Sequence, residues 1–72
     1  MKGIDATSLY CPEFTSPVLS LIRKRILPNE KGVIKTRESQ ALSRLKLICA
    51  NYEWKIEAYQ EKDGVHYIQI QC

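Results

Sequence analysis

Apolar residues recur at two different periods along this chain, and the switches between them predict two helices and four strands. Ile4-Asp5-Ala6-Thr7 is a short apolar stretch ahead of Ser8-Leu9-Tyr10-Cys11-Pro12, suited to an edge strand. Beyond it, Val18, Leu21, Ile22 and Ile26 fall at helical spacing. Ser16 is a favoured N-cap and Pro17 a favoured first helical residue, which predicts a helix over about residues 17 to 27. Pro28-Asn29-Glu30-Lys31-Gly32 ends it, since proline disfavours helix at the residue before it and glycine supplies a turn. Val33 to Arg37 then reads as a strand.

A second helix is expected from a Ser39 cap to about Asn51, with Leu42, Leu45, Ile48, Cys49 and Tyr52 on its apolar stripe and Ser43, Arg44 and Lys46 facing away. Trp54, Ile56 and Ala58 alternate with Lys55, Glu57 and Tyr59, and alternation resumes from Val65 to Ile70. Asp63-Gly64 between them marks a hairpin turn. The order is β-α-β-α-β-β. Two amphipathic helices and four short strands bury their apolar sides best as one sheet with both helices on one face.

At 72 residues and 8.3 kDa the chain is expected to form a single domain over residues 1–72, too small to enclose a cofactor pocket. No apolar run approaches the ~20 residues of a membrane span, and Lys2 stands where a signal peptide needs apolar residues, so a cytoplasmic location is expected. Charge is uneven: the first 37 residues carry seven basic and three acidic side chains, the rest four and five. An acidic partner would therefore dock on the N-terminal half. Arg23-Lys24-Arg25 concentrates that charge, but three consecutive residues point in different directions around a helix and have no aromatic platform beside them. Nucleic acid is accordingly not the expected partner.

The three cysteines, at positions 11, 49 and 72, are an odd number and lack any Cys-x-x-Cys spacing; the single His66 has no ligand partner at a metal-site interval. No metal is expected. Cys49 shares the second helix's apolar stripe and reads as core. Cys72, the last residue of the sequence, is expected to be exposed and incidental, with a resolving thiol as the less favoured reading. Cys11 is the candidate for chemistry. It lies between the first strand and the first helix, where the chain crosses layers and a thiol is reachable. If it leads straight into the helix, the positive end of the helix dipole favours its thiolate by about 0.3–1 kcal/mol. The competing reading makes Cys11 a small buried filler.

Ile4-Asp5-x-x-x-Leu9-x-Cys11-Pro12-Glu13, an amphipathic helix, Pro28-Asn29-Glu30, a strand, a second helix with Cys49 near its end and a closing hairpin together resemble the TusA/SirA-like sulfur-carrier family over nearly the whole chain. The resemblance implies a two-layer α/β sandwich, of α+β type, with a four-stranded mixed sheet and two helices on one face. It also implies a small cytoplasmic protein that takes sulfane sulfur as a persulfide on Cys11 and relays it to a partner thiol. The family's Cys-Pro-x-Pro signature reads Cys11-Pro12-Glu13-Phe14 here, with the next proline at Pro17, and Ser8 stands where the family usually has glycine.

On this reading Cys11 is the catalytic residue of a carrier-type sulfurtransferase that needs no cofactor. Pro12 stiffens the loop, Glu13 and an exposed Phe14 shape a docking surface, and Arg23 and Lys24 contact an acidic partner. The expected partners are a persulfide donor such as a cysteine desulfurase and a thiol acceptor protein, with the carrier itself a monomer. The alternative is a non-catalytic regulatory or RNA-associated module of the same fold, in which the basic helix binds and Cys11 is idle. The fold is also reminiscent of the C-terminal domain of a bacterial translation initiation factor, an analogy of architecture rather than of activity.

Overall fold

Each element is explained by which of its faces can be buried. A computed structural model describes residues 2–10 and 13–72; Met1, Cys11 and Pro12 lie outside the described residues. The elements are β1 (Lys2–Asp5), α1 (Thr15–Arg25), β2 (Lys31–Thr36), α2 (Ala41–Tyr52), β3 (Lys55–Lys62) and β4 (Val65–Gln71). The strands form one mixed sheet in the order β1-β2-β4-β3: β1 and β2 are parallel, and β4 is antiparallel to both β2 and β3. Parallel neighbours need a crossover, and α1 supplies it. The β-α-β-α-β-β order and helix-covered sheet are thus those expected, with β1 at an edge.

One face of the sheet is covered by both helices. Ile4, Ile34, Ile68 and Ile70 project into a core shared with Val18, Ile22 and Ile26 from the α1 side and Ala41, Leu45, Ile48 and Cys49 from α2. Lys35 is exposed and Val33, Tyr67 and Gln69 are half-buried on the opposite face. Thr36 is fully buried, and its hydroxyl accepts the Glu38 N–H at 3.1 Å, which satisfies the polar group where β2 turns toward α2.

Several local expectations are corrected. α1 starts earlier than the Ser16-Pro17 signal suggests, with Phe14 at the N-cap and no side-chain cap among the described residues. Buried Phe14 packs into the core and fixes the entry of the helix, so packing overrides the capping preference. At α2 the N-cap is Gln40 rather than Ser39; the Glu38 carboxylate accepts the Gln40 N–H at 3.3 Å and the Glu38 carbonyl accepts the Ala41 N–H at 3.1 Å. Tyr52 is exposed rather than on the buried stripe, and Leu42 is half-buried. Ala58 is exposed because the register slips between Ile56, opposite Ile70, and Ala58, opposite Gln69. Such a bulge places one extra residue, Glu57, against β4 and reverses the alternation beyond it. There the Glu57 carboxylate meets Lys31 at 3.0 Å and accepts from the Gln69 amide at 3.4 Å.

The hairpin turn is as expected, with Asp63 at φ 54° and Gly64 at φ 79°. Both angles are positive, as a type I′ turn requires. A different constraint operates at Gly32 on β2. A Cβ there would lie 2.9 Å from Ile26 Cγ1 and 3.3 Å from the Lys2 carbonyl oxygen, and closer still to Ile26 Cδ1. Ile26 is itself buried and has little room to give. Gly32→Ala is therefore expected to cost about 1–3 kcal/mol. Urea unfolding of the variant beside the parent checks this, and unchanged midpoints would show that α1 can lift from β2 freely.

Candidate functional site

Because β1 and β2 run parallel, α1 begins at the end of the sheet where β1 finishes and ends where β2 starts. The described residues between β1 and α1, 6–10 and 13–14, therefore occupy one end of the sandwich. They start with a turn held by Asp5, whose carboxylate accepts the Thr7 hydroxyl at 2.7 Å and the Thr7 N–H at 3.0 Å. These bonds, the hydroxyl's first, hold the Asp5 carboxyl below its ordinary pKa. The Leu9 N–H then donates to the Ala6 carbonyl at 3.1 Å, and the Glu13 N–H to the Tyr10 carbonyl at 3.0 Å. Tyr10 and Glu13 are thus drawn within hydrogen-bond distance of one another, and both are exposed.

α1 follows at once. Among the described residues its N-cap carries no side-chain hydrogen bond, its first turn has no acidic residue, and its first intrahelical bond runs from the Val18 N–H to the Phe14 carbonyl at 3.1 Å. A helix start whose leading N–H groups are not taken up by a side chain favours an anion placed against it.

Of the residues singled out from sequence, Cys11 and Pro12 lie outside the described residues, and Glu13 is exposed beside them. Phe14 is corrected. It is fully buried, among the largest core side chains, and contributes nothing to a docking surface. Arg23 and Lys24 are exposed, but at the far end of α1. From Thr15 to Arg23 the helix rises by roughly 12 Å at about 1.5 Å per residue, so these cations do not border the Glu13 end. They share one open groove of about 460 Å³ with Ser20 and Leu21. The Arg23 guanidinium lies 5.7 Å from the centroid of the Tyr52 ring, which stacks on Trp54 at 4.8 Å. Lys24 also lines, with Arg25, Lys2 and Gly3, an open groove of about 440 Å³ along the β1 edge.

The far end holds a second cluster. Leu27-Pro28-Asn29-Glu30 closes a turn in which the Glu30 N–H donates to the Leu27 carbonyl at 3.0 Å and Asn29 takes φ 69°. Proline followed by a residue at positive φ is the arrangement of a type II turn. The Glu30 carboxylate accepts the Leu27 N–H at 2.9 Å and pairs with Lys2 at 3.3 Å, and these contacts, the backbone one first, hold its pKa below the ordinary value. The same turn pins Cys72, whose N–H donates to the Glu30 carbonyl and whose carbonyl accepts from Asn29, both at 3.0 Å. Cys72 is half-buried and packs on the core rather than standing exposed. It lies at the opposite end of α1 from Tyr10 and Glu13.

Cys49 is buried as expected, and burial first, then the neighbouring Cys72 charge, pushes its thiol from 9.0 to about 11. Below pH 9.0 this thiol is protonated in folded and unfolded chains alike and its contribution to stability is complete; between 9.0 and about 11 only the unfolded chain releases the proton. Stability should therefore fall across that window more steeply in the parent than in Cys49→Ala. Thermal melts at paired pH values check it, and equal slopes would place Cys49 in contact with water.

Sequence reasoning overlooked the Arg23-Tyr52-Trp54 stack, although Tyr52 and Trp54 straddle the end of a helix. It also overlooked the pairing of Tyr59 with His66, whose Oη and Nδ1 lie 2.7 Å apart, for which the cue was their positions across the hairpin. Among the described residues no group of three or more His, Cys, Asp or Glu side chains could hold a metal ion, and no helix is long and apolar enough to cross a membrane. Comparison of the chain with models of known protein families and with curated protein sequences found no match to either.

Proposed function

We propose that this protein is a cytoplasmic sulfur carrier whose working residue is Cys11. The observation that supports the reading concerns the described neighbours of Cys11 in the sequence: Tyr10 and Glu13, between β1 and α1, lie next to a helix start that no described side chain caps and no first-turn acid neutralises. Such a site favours the anionic form of a thiol or a persulfide. Cys11 thiolate attacks the outer sulfur of a donor protein's persulfide; the S–S bond breaks, the donor thiolate leaves, and Cys11 holds the sulfur as its own persulfide. An acceptor thiolate then attacks that outer sulfur and Cys11 thiolate departs. No external oxidant or reductant enters, because each step exchanges one S–S bond for another. Pro12 restrains the loop and Glu13 shapes the rim seen by partners. The donor is a cysteine desulfurase or another persulfide protein, and the acceptor a protein thiol.

Sulfide release tests this. After incubation with a cysteine desulfurase and cysteine, then removal of both, treatment with a dithiol should release sulfide from the parent chain and none from Cys11→Ser. Equal release from the two would remove Cys11 from the chemistry. The Lys2-Lys24-Arg25 groove favours a second reading, an RNA-associated module. That reading requires RNA binding that weakens steeply with salt and persists in Cys11→Ser.

A further inference from the structure

The far end of the sandwich, remote from Tyr10 and Glu13, brings two thiols to one corner by three separate features of the fold. In the β3–β4 register Ile56 stands opposite Ile70 and Lys55 opposite Gln71, so the next pair outward is Trp54 and Cys72. Ile68 and Ile70 are fully buried against the helices, and Cys72, two residues beyond Ile70, falls on the same inward side and packs on the core. From above, Cys49 occupies the buried face of α2, and its carbonyl accepts the Trp54 N–H at 2.9 Å where Glu53, at φ 60°, ends the helix. Trp54 thus adjoins both cysteines. A charge on Cys72 is felt at Cys49, consistent with that proximity.

The two thiols differ in access. Cys49 is only 4% exposed, whereas Cys72 lines a cleft of about 180 Å³ with Arg23, Ile26, Pro28 and Trp54. We propose that Cys49 and Cys72 form an oxidisable dithiol, closed by a peroxide into an intramolecular disulfide that ties the end of β4 to α2. Cys72 is the sulfur a small oxidant meets first. Its thiolate attacks one peroxide oxygen, the O–O bond breaks, and the departing oxygen leaves as water after taking a proton, which converts Cys72 to the sulfenic acid. Cys49 sulfur then attacks Cys72 sulfur, the S–O bond breaks, and a second water leaves. Two thiols lose two electrons and two protons, and one peroxide becomes two waters. This device is independent of sulfur loading at Cys11.

The test is hydrogen peroxide treatment of the parent chain, alkylation of remaining thiols in denaturant, and non-reducing tryptic mapping. Cleavage after Lys46, Lys55 and Lys62 places Cys49 in peptide 47–55 and Cys72 in peptide 63–72. The expected product is a monomer in which those two peptides are joined, Cys11 is not linked to either, and a dithiol restores both thiols. Intrinsic fluorescence should fall on closure and recover on reduction, because the single tryptophan, Trp54, adjoins both cysteines. Oxygen adducts on Cys72 with Cys49 still alkylatable, disulfide dimers through Cys72, or a bridge to Cys11 would each overturn the proposal.

Discussion

Replacing Phe14 by alanine is expected to cost about 3–5 kcal/mol of stability, the range for removing a large aromatic side chain from a closed core. Phe14 is fully buried and N-caps α1, so its loss leaves a cavity under the first turn and frees the chain that leads into the helix. A chain of 72 residues holds roughly 4–11 kcal/mol in all, at about 0.05–0.15 kcal/mol per residue. The variant should be largely unfolded at temperatures where the parent is intact. Urea titration followed by circular dichroism measures this; a loss below about 1 kcal/mol would place the ring at the surface, as in the sequence-based expectation of a docking residue.

The second large effect is chemical. Cys11→Ser is expected to abolish sulfur loading, because a serine hydroxyl cannot form or release a persulfide, while stability stays within about 0.5 kcal/mol of the parent, as for a surface substitution. Loading and melting temperature must be measured on the same preparation. A large drop in melting temperature with loading retained would make Cys11 a buried filler and leave the chemistry to another thiol.

Where sequence reasoning succeeded, periodicity was long and punctuated. Val18, Ile22 and Ile26 leave only one amphipathic solution, and the Asp63-Gly64 pair fixes the hairpin because few other residues accept positive φ at both places. It failed where tertiary packing outranked a local preference. Ser16 and Ser39 are better caps than Phe14 or Gln40, yet a buried ring and the Glu38 carboxylate decide where the helices start. The bulge at Glu57 turned Ala58 outward, and nothing in an alternating pattern announces an extra residue until the partner strand is known.

The same limit applied to the site. Cys11 could be placed between β1 and α1 from sequence order alone, but the separation of Arg23 and Lys24 from that end depends on the direction of α1 across the sheet. Phe14, flanked by Glu13 and Thr15, looked like a surface residue and is core. Conversely, Cys72 looked loose because it ends the sequence, and two backbone hydrogen bonds to Asn29 and Glu30 hold it in place. Contacts between residues so distant in sequence leave no periodic trace.

The most direct test of a carrier centred on Cys11 is intact-mass spectrometry after incubation with a cysteine desulfurase and free cysteine, comparing the parent with Cys11→Ser, Cys49→Ser and Cys72→Ser. The account predicts a gain of one sulfur atom in the parent and in the Cys49 and Cys72 variants, and no gain in Cys11→Ser. An adduct that persists in Cys11→Ser, or that disappears with Cys72 instead, would contradict it.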